Sequence, residues 1–278
     1  MKIGHTGITW TDLEEGYRDT AELGYMSFET FARTIVEWNG RTGGYRALVD
    51  RYGIPTSAAY CYKEWIDPAT AERDIDEARR EADASREIGA CALVLQGGSR
   101  PAGGHDRDGL QRLAAALDRI GAYCREIGLV AALHPHTGTA IETRAEIDTI
   151  MEFTDPALVG FAPDTGQIAK GGSDILEVLR TYRDRIEHVH LKDWIGRIER
   201  DADGKEIDLT GYAGYEAVGA GALPMPEILG ILETIPEHIW VNVELDGTSH
   251  SPRPPHEAAA MSRNYLGAQL GDRVAWTR

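Results

Sequence analysis

Short apolar runs alternate with longer amphipathic stretches along the whole chain. Each run is six or seven residues long, flanked by polar or turn-forming residues, as is typical of buried strands. The longer stretches between them repeat their apolar positions with the period of a helix. The pattern predicts eight strands, at residues 2–8, 25–30, 55–61, 90–96, 129–134, 158–163, 186–191 and 239–245.

The stretches between the strands are predicted to be helices. In residues 107–127, Leu110, Leu113, Leu117 and Ile120 recur at the spacing of one helix face. Four helical stretches end at the residue that a helix C-cap favours, namely Gly24, Gly53, Gly89 and Gly128. The predicted helices cover residues 12–23, 31–52 (with glycine interruptions), 68–88, 107–127, 143–152, 173–183, 224–234 and 255–270.

Eight strands that alternate with helices over 278 residues predict an α/β fold, a (β/α)8 TIM barrel with residues 1–278 as a single domain. The competing doubly wound sheet usually carries a glycine-rich phosphate turn after its first strand, and residues 5–10 lack that turn. The polar, glycine-rich stretch 195–221 is too long for a plain connection. We expect a long βα loop there with a role in binding.

Composition and charge narrow the possible partners. A net charge of −16 repels phosphate backbones and anionic lipids, so we expect no nucleic acid and no membrane as partner. Three cysteines without metal-finger or disulfide spacing favour a reducing, cytoplasmic setting. We see no signal peptide and no membrane-spanning run. A small molecule is therefore the expected partner, and a homo-oligomer is compatible with the sequence.

Titratable and aromatic residues collect where the predicted strands end. The carboxyl ends of barrel strands meet at one mouth, and buried acids and imidazoles brought together there need a compensating charge. Asp, Glu and His around one ion suit Mn, Co, Mg, Fe or Zn. The strands deliver His5, Trp10, Glu29, Tyr60, Tyr62, Gln96, His134, His136, Asp164, His188, His190, Lys192, Asp193, Glu244 and Asp246 to this mouth.

Several motifs in the second half of the chain resemble one known superfamily. They are "HPHTGT", "IETRAEID", "DTGQIAKGG", "RIEHVHLKDW" and "VELDG", within about residues 128–250. They are similar to the sugar-phosphate isomerase/epimerase-like superfamily of xylose-isomerase-like barrels, and most of all to its inosose dehydratase branch, which acts on 2-keto-myo-inositol. Where members of the superfamily commonly have a histidine after "DTG", this chain has Gln167, which cannot serve as an imidazole base.

The resemblance implies one divalent metal ion, with Mn favoured over Co, Mg and Zn. Asp164, His190 and Glu244 match three ligand positions of the superfamily. The fourth ligand, a glutamate on the fifth strand in many isomerases, has no direct match, because His134 holds that place. Either Glu142 folds back to the metal or His134 replaces the carboxylate, and we favour Glu142.

The implied reaction removes a proton α to a carbonyl of a keto-sugar or keto-inositol and then eliminates water. The metal would act as a Lewis acid, and a base and an acid would move the protons. Epimerisation or isomerisation by the same chemistry, and cleavage of 3-keto-glycosides by elimination, remain alternatives, as does a non-enzymatic sugar-binding protein. A DNA-repair endonuclease is disfavoured by the charge. Candidate acid or base groups are His134, His136, Lys192 and Glu29, and candidate substrate contacts are Trp10, Tyr60, Gln96, Trp194 and Asp193.

Overall fold

Eight parallel strands curl into a closed barrel in the computed structural model, which describes residues 1–210, 212–246 and 253–277. Around the ring, the strands that begin at residues 159, 130, 92, 56, 28, 2, 240 and 189 are neighbours in that order, and bridges from Phe161 to Ile186 and from Asp164 to His190 close the ring. The (β/α)8 barrel is therefore confirmed. Its strands are β1 (Lys2–Thr6), β2 (Phe28–Phe31), β3 (Thr56–Tyr62), β4 (Ala92–Gln96), β5 (Val130–His134), β6 (Val159–Phe161), β7 (Val189–Leu191) and β12 (Trp240–Val243).

The helices surround the barrel, and polar side chains mark where several begin. Asp12 and Asp106 accept the backbone N–H three residues on, and Thr143 with Glu146 forms a reciprocal capping box. None of the helices in the described part of the chain is long and apolar enough to cross a membrane. They are α1 (Leu13–Glu22), α2 (Ala32–Asn39), α3 (Arg46–Tyr52), α4 (Ala71–Glu87), α5 (Arg107–Glu126), α6 (Arg144–Phe153), α7 (Thr165–Lys170), α8 (Ile175–Tyr182), α9 (Met225–Leu232) and α10 (Pro255–Leu270).

The structure defines the glycine interruption predicted within 31–52 and adds one helix that was not predicted. The stretch 31–52 is two helices, α2 and α3, because Gly43 and Gly44 adopt positive φ angles of 81° and 61° and interrupt the helical backbone. The short helix α7 lies immediately after the sixth strand, where the sequence predicted none. It begins at an Asp164 cap and contains the "TGQ" that follows it, so the motif "DTGQ" is the start of a helix at the barrel mouth.

The interior of the barrel is divided between small apolar and polar side chains. Strands β3 to β6 contribute a buried layer of small residues: Ala58, Ala92, Val94, Ala132 and Ala162. The opposite side is polar, with Asn242 and Ser27 next to Gly4. A Cβ at Gly4 would lie 2.2 Å from Asn242 Oδ1 and 2.0 Å from Ser27 Oγ, so only glycine fits there. The barrel therefore holds polar groups where branched apolar residues are more usual.

The predicted long βα loop at 195–221 contains two small antiparallel ribbons. Strand β8 (Asp193–Trp194) pairs with β11 (Tyr215–Glu216), and β9 (Glu199–Arg200) pairs with β10 (Glu206–Ile207). The Asp193 carboxylate fixes the base of this excursion. It accepts hydrogen bonds from four backbone N–H groups, those of Trp194, Gly219, Gly221 and Leu223.

The buried imidazole of His5 predicts a pH dependence of stability. The ring on β1 is 1% exposed and packs edge-on against Trp10 and Tyr25. Burial lowers the pKa of His5 to about 4. The unfolded chain binds the proton near pH 6.5, so this residue's contribution to stability is present above pH 6.5 and lost as the pH falls towards 4.

Replacing His5 by Asn keeps a donor near the Nδ1 position but removes the titration. Between pH 7 and pH 4, we expect the free energy of unfolding to fall by about 3 kcal/mol more in the wild type than in His5→Asn. Urea unfolding of both proteins at a series of pH values measures this. Parallel pH curves for the two proteins would contradict the prediction.

Candidate metal centre and active site

A cavity of about 290 Å³ opens at the mouth formed by the carboxyl ends of the strands. Phe31, at the end of β2, and Arg33, in the first turn of α2, form part of its wall. The mouth of a (β/α)8 barrel is where such enzymes place their active sites. The cavity brings together six residues that the sequence predicted for function, namely Glu29, Tyr60, Gln96, His136, His190 and Glu244.

Four predicted residues converge next to this cavity. One ligand atom from each of His134, Asp164 and His190 lies within 4.8 Å of the others, and all three residues are buried. Glu244 completes the group, because its Oε2 lies 2.7 Å from His190 Nδ1. The residues come from the ends of β5, β6, β7 and β12, so the barrel alone sets their separation. Two imidazoles and two carboxylates suit a borderline divalent cation.

The buried polar atoms of this group are incompletely paired. Both ring nitrogens of His134 take part in no hydrogen bond among the described residues. Asp164 Oδ2 lies 3.1 Å from Lys192 Nζ, and His190 Nδ1 lies 2.7 Å from Glu244 Oε2. Burial lowers the pKa of His134 well below its ordinary value, so the ring is neutral and keeps a free lone pair. Buried polar atoms without partners are rare in proteins. A cation bonded to these atoms would satisfy them, so the residues fit a divalent metal ion.

Asp164 serves two purposes at once. Its Oδ1 accepts the backbone N–H of Gln167 and so caps α7, while Oδ2 faces the group of potential ligands. Burial raises the pKa of Asp164, because a carboxylate is poorly solvated here. The cap holds the side chain in one orientation, with Oδ2 turned towards the potential ligands and 3.1 Å from Lys192 Nζ.

The ammonium of Lys192 lies among three carboxylates. Its Nζ is 2.7 Å from Glu244 Oε1, 2.7 Å from Asp246 Oδ2 and 3.1 Å from Asp164 Oδ2, and the residue is fully buried. Burial opposes the charged form, but the three carboxylates outweigh it and raise the pKa of Lys192 well above its ordinary value. Lys192 is therefore a fixed positive charge beside the potential ligands.

The structure favours His134 over Glu142 at the fifth strand. Glu142 lies in the loop after β5, where its Oε2 accepts the backbone N–H of Gly138 and lies 3.5 Å from Arg100 Nε. It is not part of the group of potential ligands in the described residues, whereas His134 is. Our preference for Glu142 from the sequence therefore finds no support in the geometry, because the loop directs its carboxylate to Arg100.

His136 lines the cavity with a defined tautomer. Its Nδ1 lies 2.7 Å from the carbonyl oxygen of Thr137 and must carry the proton, and its Nε2 accepts from the Gln167 amide at 2.9 Å. The oxygen of that amide accepts hydrogen bonds from the hydroxyls of Thr137 and Tyr215. Gln167 therefore takes the place of an imidazole as a hydrogen-bonding group that orients His136.

Three predicted substrate contacts lie elsewhere. Trp10 follows a 3₁₀ turn at Gly7–Thr9, packs in the hydrophobic core and donates its indole N–H to Asp19. Trp194 packs with the aromatic residues of the excursion. All of the observed partners of the Asp193 carboxylate are backbone N–H groups at the base of the excursion, which is a structural role. Neither these tryptophans nor Asp193 are among the cavity-lining residues of the described structure.

Two residues at the mouth had no assigned role from the sequence. Asp246 contacts Lys192. It lies two residues after Glu244, so in an extended chain both side chains lie on the same face, and this spacing could have indicated its place in the site. Tyr215 belongs to the excursion; its ring lies over the Lys192 ammonium at 4.6 Å, and its hydroxyl donates to Gln167. No local motif marks Tyr215, since only the folding of the excursion brings it to the site.

Comparison with known proteins shows the family of the chain. Residues 17–267 match the model of the family described as xylose isomerase-like TIM barrel. The chain belongs to this family. It is 29% identical over 295 residues to an inosose dehydratase of Geobacillus kaustophilus, with 96% of this chain and 94% of the relative covered. It is 26% identical over 304 residues to an inosose dehydratase of Bacillus anthracis, with 98% of each chain covered.

Solved structures of low sequence identity share the fold. The IolI protein with a bound zinc atom superposes with a TM-score of 0.76 at 16% identity, covering 98% of this chain and 99% of that one. The probable 3-DHS dehydratase AsbF of Bacillus anthracis gives a TM-score of 0.75 at 14% identity, covering 96% and 98%. A xylose isomerase-like TIM barrel protein of Mycobacterium smegmatis in complex with magnesium gives 0.74 at 16% identity, covering 99% and 98%.

Metal titration of two variants distinguishes the alternatives for the fifth strand. After removal of metal with a chelator, His134→Gln should bind Mn²⁺ at least about 100-fold more weakly than the wild type, because loss of an outer partner alone costs about 10- to 100-fold. Glu142→Gln should stay within about threefold of the wild type, because its carboxylate faces Arg100. Isothermal titration calorimetry measures both. The reverse ranking would restore Glu142 as the ligand.

Proposed function

We propose that the protein is a divalent-metal-dependent lyase that removes a proton α to the carbonyl of a keto-inositol or keto-sugar and eliminates water. The family and the relatives identify the chain as an enzyme, and full-length relatives named inosose dehydratase support a dehydratase-like activity. The observation that carries the proposal is the buried group of His134, Asp164 and His190, whose ligand atoms lie within 4.8 Å of one another beside an open cavity and in which both His134 ring nitrogens have no hydrogen-bond partner among the described residues. The family match over residues 17–267 supports one barrel domain as the unit of activity.

We propose His134, Asp164, His190 and Glu244 as the metal ligands, with Mn²⁺ as the favoured ion. A bound divalent ion supplies Lewis acidity, which polarises a carbonyl and makes the neighbouring C–H more acidic. Mixed imidazole and carboxylate ligands are accepted by Mn, Co and Zn as well as by Mg, so the ligand set supports this class of ion. The zinc and magnesium in two structures of the same fold belong to those proteins and are compatible with it.

His136 is the proposed base. It lines the cavity, it is outside the proposed ligand set, and its Nδ1 proton is held by the carbonyl oxygen of Thr137. Its basic nitrogen is therefore Nε2, and a substrate can take the place of the Gln167 amide that now donates to it. Nε2 accepts one proton from carbon, and the departing hydroxyl needs one proton to leave as water. One imidazole can thus serve as base and then as acid, and the reaction leaves its protonation state unchanged.

Lys192 is the proposed source of positive charge, and two cavity residues are the proposed substrate contacts. The Lys192 ammonium lies 2.7 Å from Glu244, where it can stabilise negative charge that develops on the substrate. Tyr60 stacks on His190, with ring centroids 6.2 Å apart, and provides an apolar wall. Gln96 offers amide hydrogen-bonding groups to hydroxyls of a polyol.

Removal of metal tests the proposed function. The metal-loaded protein should convert 2-keto-myo-inositol to a product with the ultraviolet absorbance of a conjugated dione, and the chelator-treated protein should be inactive until Mn²⁺ is restored.

In deuterated water, product analysis separates dehydration from its alternatives. Incorporation of deuterium without loss of water would indicate an epimerase or isomerase, and full activity of the metal-free protein would contradict the mechanism.

Substitution of His136 tests the proposed base. His136→Asn should lower kcat by about 10²- to 10⁴-fold, because the base is lost, and should also abolish exchange of the α-proton with solvent. Its affinity for Mn²⁺ should not change. A matched control is His105→Asn, since His105 contacts the carbonyl oxygen of Ser99 and is outside the cavity lining of the described structure. A His136→Asn variant with wild-type exchange would exclude this base.

A further inference from the structure

A second buried polar cluster lies inside the barrel, next to the potential metal ligands. Glu29 is its centre: Oε2 accepts from Asn242 Nδ2 at 2.7 Å and lies 2.8 Å from His188 Nε2. Both oxygens of Glu29 lie 3.0 Å from His190 Nε2. These four residues are at most 2% exposed. His190 therefore belongs to both clusters, with one ring nitrogen in each.

The cluster around Glu29 differs from the group of His134, Asp164 and His190 in its hydrogen bonding. Both sets place their ligand atoms within 4.8 Å of one another. In the first set, however, the facing atoms of Glu29, His188 and His190 are already paired with one another. In the second set both ring nitrogens of His134 have no hydrogen-bond partner among the described residues. A cation would replace existing bonds at Glu29, whereas it would satisfy a free atom of His134.

The contact with Glu29 decides which nitrogen of His190 can bind an ion. A carboxylate only accepts hydrogen bonds, so the Nε2 atom that faces both of its oxygens must carry a proton. The other ring nitrogen, Nδ1, lies 2.7 Å from Oε2 of Glu244, which belongs to the group of potential ligands. A cation bound there would take the place of the proton on Nδ1.

We propose that Glu29 is a positioning residue: by accepting from His190 Nε2 it orients the ring, so that Nδ1 faces the cation site formed with His134, Asp164 and Glu244. This inference rests on the proposed metal-dependent function. It changes the role of Glu29, which the sequence suggested as an acid or base, because both carboxylate oxygens are held by buried partners. A negatively charged partner on the far nitrogen also makes a ligating imidazole a stronger donor.

Metal affinity of matched variants tests this role. Glu29→Gln keeps the shape of the side chain but removes its charge and one of its two acceptors, and we expect Mn²⁺ to bind about 10- to 100-fold more weakly. The control is Glu81→Gln, the same change at another buried carboxylate of the cavity, which contacts Lys63 and Cys61. It should bind within about threefold of the wild type. Circular dichroism confirms that the variants are folded.

Nuclear magnetic resonance of the wild type gives a second readout that needs no variant. In the Zn²⁺-loaded protein with ¹⁵N-labelled histidine, we expect the His190 proton on Nε2 and none on Nδ1. A proton on Nδ1 would overturn the proposal. So would a folded Glu29→Gln protein that binds Mn²⁺ as tightly as the wild type, and this result would leave the proposed function intact. A wild type that binds no divalent ion would instead contradict the proposed function, and the inference with it.

Discussion

Charge compensation among buried groups is the constraint on which the site depends. Glu29, Asp164, Glu244 and Asp246 face two cationic side chains, Lys192 and His190, at the mouth of the barrel. With every carboxylate ionised, two negative charges would remain uncompensated. Removing such charges from water costs several kcal/mol per ion, so they need partners. A divalent cation would offset most of this negative charge, and burial raises the pKa of Asp164, because a carboxylate is poorly solvated at this position.

The barrel meets this constraint through the division of its interior. Small residues such as Ala58 and Ala132 fill the inner face of β3 and β5, while β2, β7 and β12 direct polar side chains inward. Because Gly4 has no side chain, the polar side chains of Ser27 and Asn242 can approach β1 closely. A polar interior without hydrogen bonds would destabilise the fold, but Glu29 forms hydrogen bonds with both His188 and Asn242. The same hydrogen bonds hold the strand that carries His190, so one hydrogen-bond network contributes both to the stability of the barrel and to the geometry of the site.

Much of the fold could be predicted from the sequence, because its signals are local. Periodicity and terminal glycines gave all eight barrel strands, and the long excursion after β7 was visible in its composition. The departures have local causes too: two glycines divide the helix predicted at 31–52, and α7 is too short to show a helical period. Strand ends that carry acids and imidazoles indicated the mouth, because a parallel barrel brings the ends of its strands together.

The site could be predicted only in part, because residue type does not determine where a side chain points. Trp10 and Asp193 lie near strand ends, yet one turns into the core and the other binds backbone amides. The sequence favoured Glu142 over His134, because residue type alone does not reveal the loop that directs Glu142 to Arg100. Tyr215 is distant in sequence from every motif and reaches Lys192 only through the folded excursion.

The most direct test of the central claim is a crystal structure of the Mn²⁺-loaded protein with anomalous diffraction data at the manganese edge. We predict one anomalous peak at the mouth of the barrel, with atoms of His134, Asp164, His190 and Glu244 at metal–ligand distances of about 2.0–2.6 Å. A peak bonded instead to Glu142, or in the cluster of Glu29 and His188, would contradict the account.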